Sequence, residues 1–213
     1  IIVLIDDDPL LDLGCNLGCI VNKMYLNLRI KTNLWKIKLN FGYKLKKNLI
    51  LTGMMGVGKS TIGKILSKDL NMKFVDVDKI IEKKLSSTIS QIFKKKGEAY
   101  FRKIEEKESI RLINENETVI ALGGGAFLNK LVRENVKKNC FSIWLDLNSD
   151  DIFKRVYSNN KRPLLNEGQY KEDLKRLYDE RKKVYSLADY KIDCNFKNKE
   201  EIVQEIRNLY ENS

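Results

Sequence analysis

Residues 53–60, GMMGVGKS, have the composition and spacing of a loop that binds phosphate. The pattern is G-x-x-x-x-G-K-[ST], in which glycines let successive backbone N–H groups point toward an anion. Lys59 would set a positive charge against the β- and γ-phosphates of a nucleotide, and the Ser60 hydroxyl would coordinate Mg²⁺. Because the segment joins an apolar run to a helical pattern, we expect it to hold a polyphosphate.

Two aspartates follow the next apolar run, in FVDVD at residues 74–78. Side chains at i and i+2 of a strand share a face, so Asp76 and Asp78 can point into the same cleft. One could hold Mg²⁺, while the other could orient an acceptor hydroxyl and take its proton. A helix N-cap at Asp78 is a simpler alternative, but a cap accounts for one aspartate and leaves the pair unexplained.

Three arginines could contact anionic groups. Arg102 and Glu105 are three apart on a predicted helix and can touch, and this segment by itself favours a surface ion pair. Arg162 lies in a loop-like stretch, residues 159–169, from which it could close over a transferring phosphate. Arg181 lies in YDERKKVY, a sequence that is otherwise typical of a solvated helix.

The elements that would position these residues alternate along the chain from Asn48 onward. Buried apolar runs predict strands at 48–52, 74–77, 118–122, 141–146 and 190–194. Amphipathic patterns predict helices at 60–70, from about 79, at 89–115 with an interruption near Gly97, and at 128–136, 150–158, 170–187 and 199–210. This alternation predicts a parallel sheet with helices on both faces and ligands at the carboxyl ends of its strands. A second glycine-rich turn, Gly123–Gly125, follows a strand and permits a ligand to approach backbone N–H groups.

The amino-acid composition excludes some catalytic mechanisms and some classes of partner. The 213 residues include no histidine, which excludes an imidazole base and a His-ligated metal. The net charge of +11 favours anionic partners, but the lysines are spread along the chain, so we interpret most of the charge as a solvated surface. Aromatic residues do not interleave with the basic ones as nucleic-acid stacking requires, and no apolar run reaches the length of a membrane span.

The four cysteines indicate a reducing compartment. Cys140 and Cys194 lie in apolar, strand-like runs and are expected to be buried packing residues. Cys15 and Cys19 have no second ligand pair nearby, which argues against zinc. Since nothing suggests a disulfide framework, we expect a cytoplasmic protein.

Six segments taken in order resemble the shikimate kinase family. They are GMMGVGKST, FVDVDKIIE, GEAYFRKIE, LGGGA, RPLL and DERKKVY, within a match that runs from about Asn48 to Tyr210. The resemblance implies the P-loop kinase fold of nucleoside monophosphate kinases, a three-layer α/β/α arrangement with a five-stranded parallel sheet in order 2-3-1-4-5. It also implies transfer of the ATP γ-phosphate to the 3-hydroxyl of shikimate, with Mg²⁺, in the route to chorismate and aromatic amino acids.

The same resemblance assigns roles to individual residues. It implies nucleotide contacts at Gly56, Val57, Gly58, Lys59, Ser60, Thr61, Arg155, Arg162 and Lys197. It implies shikimate contacts at Asp78, Arg102, Gly123, Gly124, Gly125 and Arg181, with Glu105 holding Arg102. Ser60 and Asp76 would serve Mg²⁺, and the catalytic residues would be Lys59, Asp78 as the candidate base, and Arg162 on a lid. We expect a monomer with no nucleic-acid or membrane partner.

Residues 1–47 lie outside this resemblance, and residues 48–213 form the predicted kinase domain. From Asn22 to Lys47 the extension holds eight Lys or Arg and no acid. A basic arm, a fragment of an upstream domain, and translated sequence upstream of the true start all fit, and we favour the last. An organelle-targeting presequence is a further alternative, against which the early aspartates argue.

Two other functions remain open from the sequence. A kinase of the same fold could act on another hydroxylated acid such as gluconate. A nucleotide-binding switch or a nucleic-acid-binding ATPase would use the same loop, but it leaves the arginines on the acceptor side unexplained.

Overall fold

The computed structural model describes residues 47–157 and 170–213, which belong to one compact unit spanning residues 45–213. The described strands are β1 Asn48–Thr52, β2 Lys73–Asp76, β3 Thr118–Ala121, β4 Cys140–Asp146 and β5 Tyr190–Asp193. The described helices are α1 Lys59–Asp69, α2 Val77–Leu85, α3 Ile89–Lys96, α4 Glu98–Ile113, α5 Lys130–Asn139, α6 Ser149–Tyr157, α7 Tyr170–Tyr185 and α8 Lys199–Glu211. A 3₁₀ turn spans Ala126–Leu128.

The five strands form one parallel sheet in the order β2-β3-β1-β4-β5, which confirms the predicted architecture. β1 lies at the centre, with Leu49 opposite Val119 of β3 and Phe141 of β4. Every residue of β1 and β4 is buried, because helices cover both faces of a parallel sheet. The carboxyl ends of β1, β2, β3 and β4 therefore meet at one edge, where the loops carrying the predicted site begin.

Local signals set where the helices start and stop. Gly97 has φ 80°, a left-handed conformation that favours glycine, and it separates α3 from α4 where the sequence predicts an interruption. Thr88 and Asn198 form capping boxes at the starts of α3 and α8, each satisfying backbone N–H groups that the helix leaves open.

The start of α2 differs from the prediction. The sequence pattern extends the second strand to Val77 and begins the helix near Lys79, whereas the strand ends at Asp76 and the helix begins at Val77. The reason is that the Asp76 side chain accepts a hydrogen bond from the Lys79 backbone N–H and so caps the helix two residues earlier. The other described elements begin and end within about three residues of the predicted bounds, the largest difference being α5, which continues to Asn139 and not to residue 136.

A buried asparagine joins α4 to the sheet. The Asn48 side-chain amide donates to the carbonyl oxygens of Ile113, at 2.9 Å, and Glu115, at 2.5 Å. Its Oδ1 accepts from the Thr118 N–H at 2.9 Å. The carboxyl end of the helix that carries Arg102 is thereby fixed against β1 and β3.

Two predicted regions lie outside the described residues, namely most of the extension at 1–47 and the loop at 159–169 that carries Arg162. Across residues 47–157 and 170–213, no helix combines the length and the apolar character that crossing a bilayer requires.

Candidate active site

The phosphate-binding loop, residues 53–60, joins the carboxyl end of β1 to the start of α1. Gly56 has φ 77° and Gly58 has φ 108°, both in the region that L side chains rarely adopt. A Cβ on Gly56 would also lie 2.8 Å from Cγ2 of Val156 in α6. Glycine at these positions therefore lets the loop curl and lets α6 pack closely behind it.

Lys59 is the first residue of α1, and its side chain turns back over the loop. Its Nζ donates to the carbonyl oxygens of Gly53 and Met54, at 2.8 Å each. The ammonium group is thus held at the mouth of the loop, where it lines a cavity of about 230 Å³. The cavity is lined by Met55, Gly56, Gly58, Lys59, Ser60, Thr61, Asp76, Asp78, Ala121, Leu122 and Gly124.

Val57 differs from its neighbours in the predicted nucleotide set. Its side chain is buried in the core and does not line the cavity. Only the backbone of Val57 could therefore bind a phosphate. Met55, which the sequence analysis did not select, does line the cavity.

The two aspartates have different local roles but share the cavity. Asp76 ends β2, accepts from Ser60 Oγ at 2.5 Å, and caps α2. Asp78 lies in the first turn of α2, where the helix dipole stabilises a negative charge. The alternative that Asp78 is the N-cap is therefore wrong, because Asp76 occupies that position. Both carboxylates line the cavity, although one comes from a strand end and the other from a helix turn.

Arg102, on α4, is held from two sides by carboxylates. Its Nε and Nη2 donate to Glu98 Oε1 at 3.1 and 2.9 Å, and its Nη1 donates to Glu105 Oε2 at 2.7 Å. The guanidinium carbon also lies 5.9 Å from the centre of the Phe93 ring and 5.3 Å from that of Phe101. The sequence analysis missed Glu98, although its spacing four residues before Arg102 is a recognised helical pairing.

Glu105 is 2% exposed, so the pair it forms with Arg102 is not the surface ion pair that this segment by itself suggested. Burial raises the pKa of the Glu105 carboxyl. The positive charge of Arg102 opposes this shift in pKa, while the negative charge of Asp78 adds to it. A buried carboxylate with one strong partner fixes that partner's position, because releasing it would leave the carboxylate unsatisfied.

The Gly123–Gly125 turn follows β3 and is surrounded by these charged side chains. A Cβ on Gly123 would lie 2.3 Å from Glu105 Oε1 and 2.7 Å from Asp78 Oδ1. A Cβ on Gly125 would lie 2.2 Å from Arg102 Nη1. Neither glycine has a positive φ, so the requirement here is for close approach and not for an unusual backbone conformation. The glycines let Asp78, Glu105 and Arg102 converge on one turn.

Arg181 reaches the same turn from α7. It is 7% exposed, unlike most of its helix, and its Nη1 donates to the Gly124 carbonyl at 3.1 Å. Tyr185, four residues later and fully buried, donates its hydroxyl to the same carbonyl at 2.5 Å. Sequence reasoning missed Tyr185, although an aromatic one helical turn after a candidate arginine is a signal for a shared buried face.

A small recess of about 50 Å³ lies between α4, the glycine turn and α7. It is lined by Met55, Asp78, Ile89, Phe93, Phe101, Arg102, Glu105, Gly124, Gly125 and Arg181. Two guanidinium groups and an aspartate face it together with apolar rings, which suits a small organic acid that also carries hydroxyl groups. The recess shares Met55, Asp78 and Gly124 with the cavity at the phosphate-binding loop, so the two adjoin.

Arg155 and Lys197 line neither the loop cavity nor the recess. Arg155, on α6, donates to the Val57 carbonyl at 3.4 Å and so lies beside the phosphate-binding loop. Lys197 pairs with Glu205 of α8 at 2.5 Å. Arg162 is outside the described residues.

Relatives of known identity match most of the chain. The family model described as shikimate kinase matches residues 55–211. The shikimate kinase of Sulfurihydrogenibium sp. is 44% identical over 160 residues, which are 75% of this chain and 95% of that protein. The shikimate kinase of Persephonella marina is 38% identical over 160 residues, covering 75% of this chain and 96% of the relative.

Solved structures agree with these sequence matches. Shikimate kinase from Acinetobacter baumannii in complex with shikimate has a TM-score of 0.76 and 32% identity, covering 81% of this chain and 97% of that one. Shikimate kinase from Aquifex aeolicus has a TM-score of 0.68 and 38% identity, covering 78% and 96%. With the family model matching well over half of its residues, the chain belongs to the shikimate kinase family.

Proposed function

We propose that this protein transfers the γ-phosphoryl group of ATP to the 3-hydroxyl of shikimate, giving shikimate 3-phosphate and ADP on the route to chorismate and aromatic amino acids. One observation carries the proposal: the cavity at the phosphate-binding loop and the recess beside Arg102 and Arg181 share Asp78. A nucleotide phosphate and an acidic acceptor would therefore meet at one carboxylate. Family membership, and a relative solved with shikimate bound, support the identity of the acceptor.

The nucleotide would bind through the loop backbone and the start of α1. The N–H groups of Gly56, Val57 and Gly58, with those of Lys59, Ser60 and Thr61, would surround the phosphates, and the helix dipole adds a favourable field. Lys59 would move its ammonium from the loop carbonyls to the β- and γ-phosphates, where its charge offsets theirs.

Ser60 and Asp76 fit a Mg²⁺ ion bound with the nucleotide. Their side-chain oxygens lie 2.5 Å apart, and hydroxyl and carboxylate oxygens are the donors that Mg²⁺ prefers. The other ligands of the ion would be phosphate oxygens and water, because Mg²⁺ usually keeps several waters and binds through one or two protein groups together with substrate phosphates. The ion would neutralise charge on the β- and γ-phosphates.

The acceptor would lie in the recess. Arg102 and Arg181 would grip the shikimate carboxylate, since a planar guanidinium can make two parallel hydrogen bonds to it. Glu105 would keep Arg102 in place, and the Gly123, Gly124 and Gly125 turn would contact the ring hydroxyls. Asp78 would orient the 3-hydroxyl toward the terminal phosphate.

We propose Asp78 as the base that takes the hydroxyl proton, at the point where the two cavities meet. In phosphoryl transfer, positioning and charge neutralisation account for most of the catalysis, so Lys59 and Arg162 would contribute by stabilising charge on the moving phosphoryl group. We assign Arg155 and Lys197 to the adenine end of the nucleotide. The position of Arg155 beside Val57 supports the first of these two assignments.

We also propose that the protein acts as a monomer in the cytoplasm and uses neither nucleic acid nor a membrane. The two described cysteines, Cys140 and Cys194, are free and buried, which suits a reducing compartment. Burial raises the pKa of each thiol to about 12, so both stay protonated at neutral pH.

A coupled assay tests this function by measuring ADP formation with ATP, Mg²⁺ and purified protein. Shikimate should support turnover that saturates, whereas gluconate should not raise ADP formation above the background without acceptor. Asp78→Asn should lower kcat by at least about 100-fold with KM for ATP little changed. If the protein phosphorylates gluconate and does not respond to shikimate, the proposed acceptor is wrong. If nucleic acid stimulates ADP formation, the protein is an ATPase of a different class and not a small-molecule kinase.

A further inference from the structure

Helix α7 turns three large side chains toward the sheet and the glycine turn. Tyr178, Arg181 and Tyr185 are spaced i, i+3 and i+7, which places them along one face of the helix. Arg181 and Tyr185 both donate to the carbonyl of Gly124. Tyr178 contacts a different part of the molecule, and nothing in the proposed mechanism uses it.

The partner of Tyr178 is a buried carboxylate at the end of β4. Its hydroxyl donates to Asp146 Oδ1 at 2.8 Å. Asp146 is 6% exposed, and its Oδ2 pairs with Lys191 of β5 at 2.8 Å. The Lys191 ammonium in turn lies 4.8 Å from the centre of the Trp144 ring. The carboxylate is thus fixed by two neighbouring strands and offers α7 a rigid point of attachment.

The bond between Tyr178 and Asp146 is a well-formed hydrogen bond to a buried carboxyl. Its 2.8 Å length is ordinary for a hydroxyl donor, and loss of the donor would leave a buried oxygen of Asp146 without this partner. Burial, and then the hydrogen bond and charge of Asp146, raise the pKa of Tyr178, so the hydroxyl keeps its proton and goes on donating across the neutral range.

Arg181 lies less than one helical turn from this attachment. A helix residue three positions away shares the same backbone segment, so a rotation or slide of α7 at Tyr178 would carry the Arg181 guanidinium with it. Arg181 reaches the glycine turn through a 3.1 Å hydrogen bond, which a displacement of about 1 Å would break.

We propose that Tyr178 is a positioning residue for acceptor binding: by holding α7 to Asp146 at the end of β4, it sets the place from which Arg181 reaches the acceptor. This inference rests on the proposed function, because it takes the acceptor to be shikimate. It adds a residue on the sheet-facing side of α7 and a carboxylate at the end of β4 to the groups on which acceptor affinity depends.

Tyr178→Phe tests the proposal, since it removes one hydroxyl and keeps the ring. KM for shikimate should rise about 3- to 10-fold, while KM for ATP stays within about 2-fold of the wild-type value. Arg176→Met is the matched control, because it removes an exposed ion pair with Asp173 on the same helix and leaves the bond between Tyr178 and Asp146 in place, and it should leave KM for shikimate within about 2-fold of the wild-type value. A purely structural role for Tyr178 would lower thermal stability and leave the ratio of the two KM values unchanged, and that result would overturn the proposal.

A second background shows whether the effect passes through Arg181. In an Arg181→Lys variant the planar group is gone, so adding Tyr178→Phe should change KM for shikimate by less than about 2-fold. A full, independent rise in that background would contradict the proposal.

Crystal structures of the wild type and of Tyr178→Phe give a readout that does not need turnover. We expect the Arg181 Nη1 to lie farther from the Gly124 carbonyl in the variant. An unchanged contact would overturn the positioning role even if shikimate is the acceptor. Conversely, if wild-type protein does not turn over shikimate, the proposed function fails, and the two structures still decide whether Tyr178 positions Arg181.

Discussion

Arg102 illustrates how one residue can be prepared for an anionic ligand. Glu98 and Glu105 engage its Nε, Nη1 and Nη2 atoms, and two aromatic rings lie close to the guanidinium. The side chain is 28% exposed, so its charge remains accessible to the recess. A cation held in this way loses little conformational freedom when it binds a carboxylate, and this is the physical reason for expecting tight acceptor binding.

Arg102→Ala should therefore impair acceptor use with little effect on the nucleotide. We expect KM for shikimate to rise at least about 10-fold and KM for ATP to stay within about 2-fold, as measured by steady-state kinetics. Arg111→Ala is the matched control, since Arg111 lies on the same helix and also pairs with two glutamates but is about half exposed. A loss of ATP affinity in Arg102→Ala would show that the residue serves the nucleotide and not the acceptor.

Glu105 predicts a dependence of stability on pH. Its pKa is raised in the folded protein, first by burial and then by Asp78, with Arg102 and Arg181 opposing. The folded state therefore holds this proton more tightly than the unfolded chain, in which the carboxyl has its ordinary pKa of 4.5. The stabilisation from Glu105 is present below that pH and is lost as the pH rises through the folded pKa.

Glu105→Gln removes this titration. The Tm of the wild type relative to Glu105→Gln should thus fall as the pH rises from about 4.5 toward neutral, by about 2–4 °C if the linked free energy is about 1 kcal/mol. Scanning calorimetry at matched pH values measures the difference. A Tm difference that is flat with pH would contradict the raised pKa.

At the scale of elements, the glycine turn after β3 joins two helices that are distant in sequence. α4 contributes Arg102 and Glu105 from one side, and α7 contributes Arg181 from the other. Gly125 lies against the Arg102 guanidinium, and Gly124 offers its carbonyl to Arg181. The geometry of the recess depends on this turn staying free of side chains.

Gly125→Ala should therefore act on acceptor binding through Arg102. The new Cβ would lie 2.2 Å from Nη1, and the guanidinium would have to leave its position between Glu98 and Glu105. We expect KM for shikimate to rise about 10-fold or more, with the far-ultraviolet circular dichroism unchanged. Gly124→Ala is the comparison. The atom nearest to its new Cβ would be the Met55 backbone nitrogen, at 3.4 Å, so its effect on KM for shikimate should be smaller. An equal effect at both glycines would argue against displacement of Arg102.

The elements themselves could be predicted because each has a local signal. The buried run at β1, the amphipathic patterns of the helices and Gly97 are all visible in the sequence, and they placed the strands and helices to within about three residues. The resemblance supplied the order of the sheet. The burial of Glu105 and the convergence of Arg181 and Tyr185 on Gly124 could not be predicted from spacing, since these contacts join residues about 60 positions apart. The bond between Tyr178 and Asp146 could not be predicted from spacing either, since these residues lie 32 positions apart.

At the scale of the whole molecule, the parallel sheet accounts for the position of the site. The carboxyl ends of β1, β2 and β3 deliver the phosphate-binding loop, Asp76 and the Gly123–Gly125 turn to one edge. The end of β4 supplies Asp146, to which α7 is attached. Ligands bind at this edge in open parallel sheets because the loops there diverge and the helix N-termini point toward it.

This organisation predicts that residues 1–44 are dispensable for catalysis. Residues 45–213 form a compact unit that contains the whole described site, and the family match begins at residue 55. The sheet end of this unit includes Lys47, whose carbonyl accepts a hydrogen bond from the Tyr210 hydroxyl, so a truncation should retain residue 45 onward. A variant that begins at Leu45 should keep kcat and both KM values within about 2-fold of the full chain. Steady-state kinetics on the two proteins, with circular dichroism to establish folding, measure this. If the truncated variant folds but loses 10-fold in kcat, the first 44 residues contribute to the active site. The kinase domain would then extend into the segment that precedes residue 45.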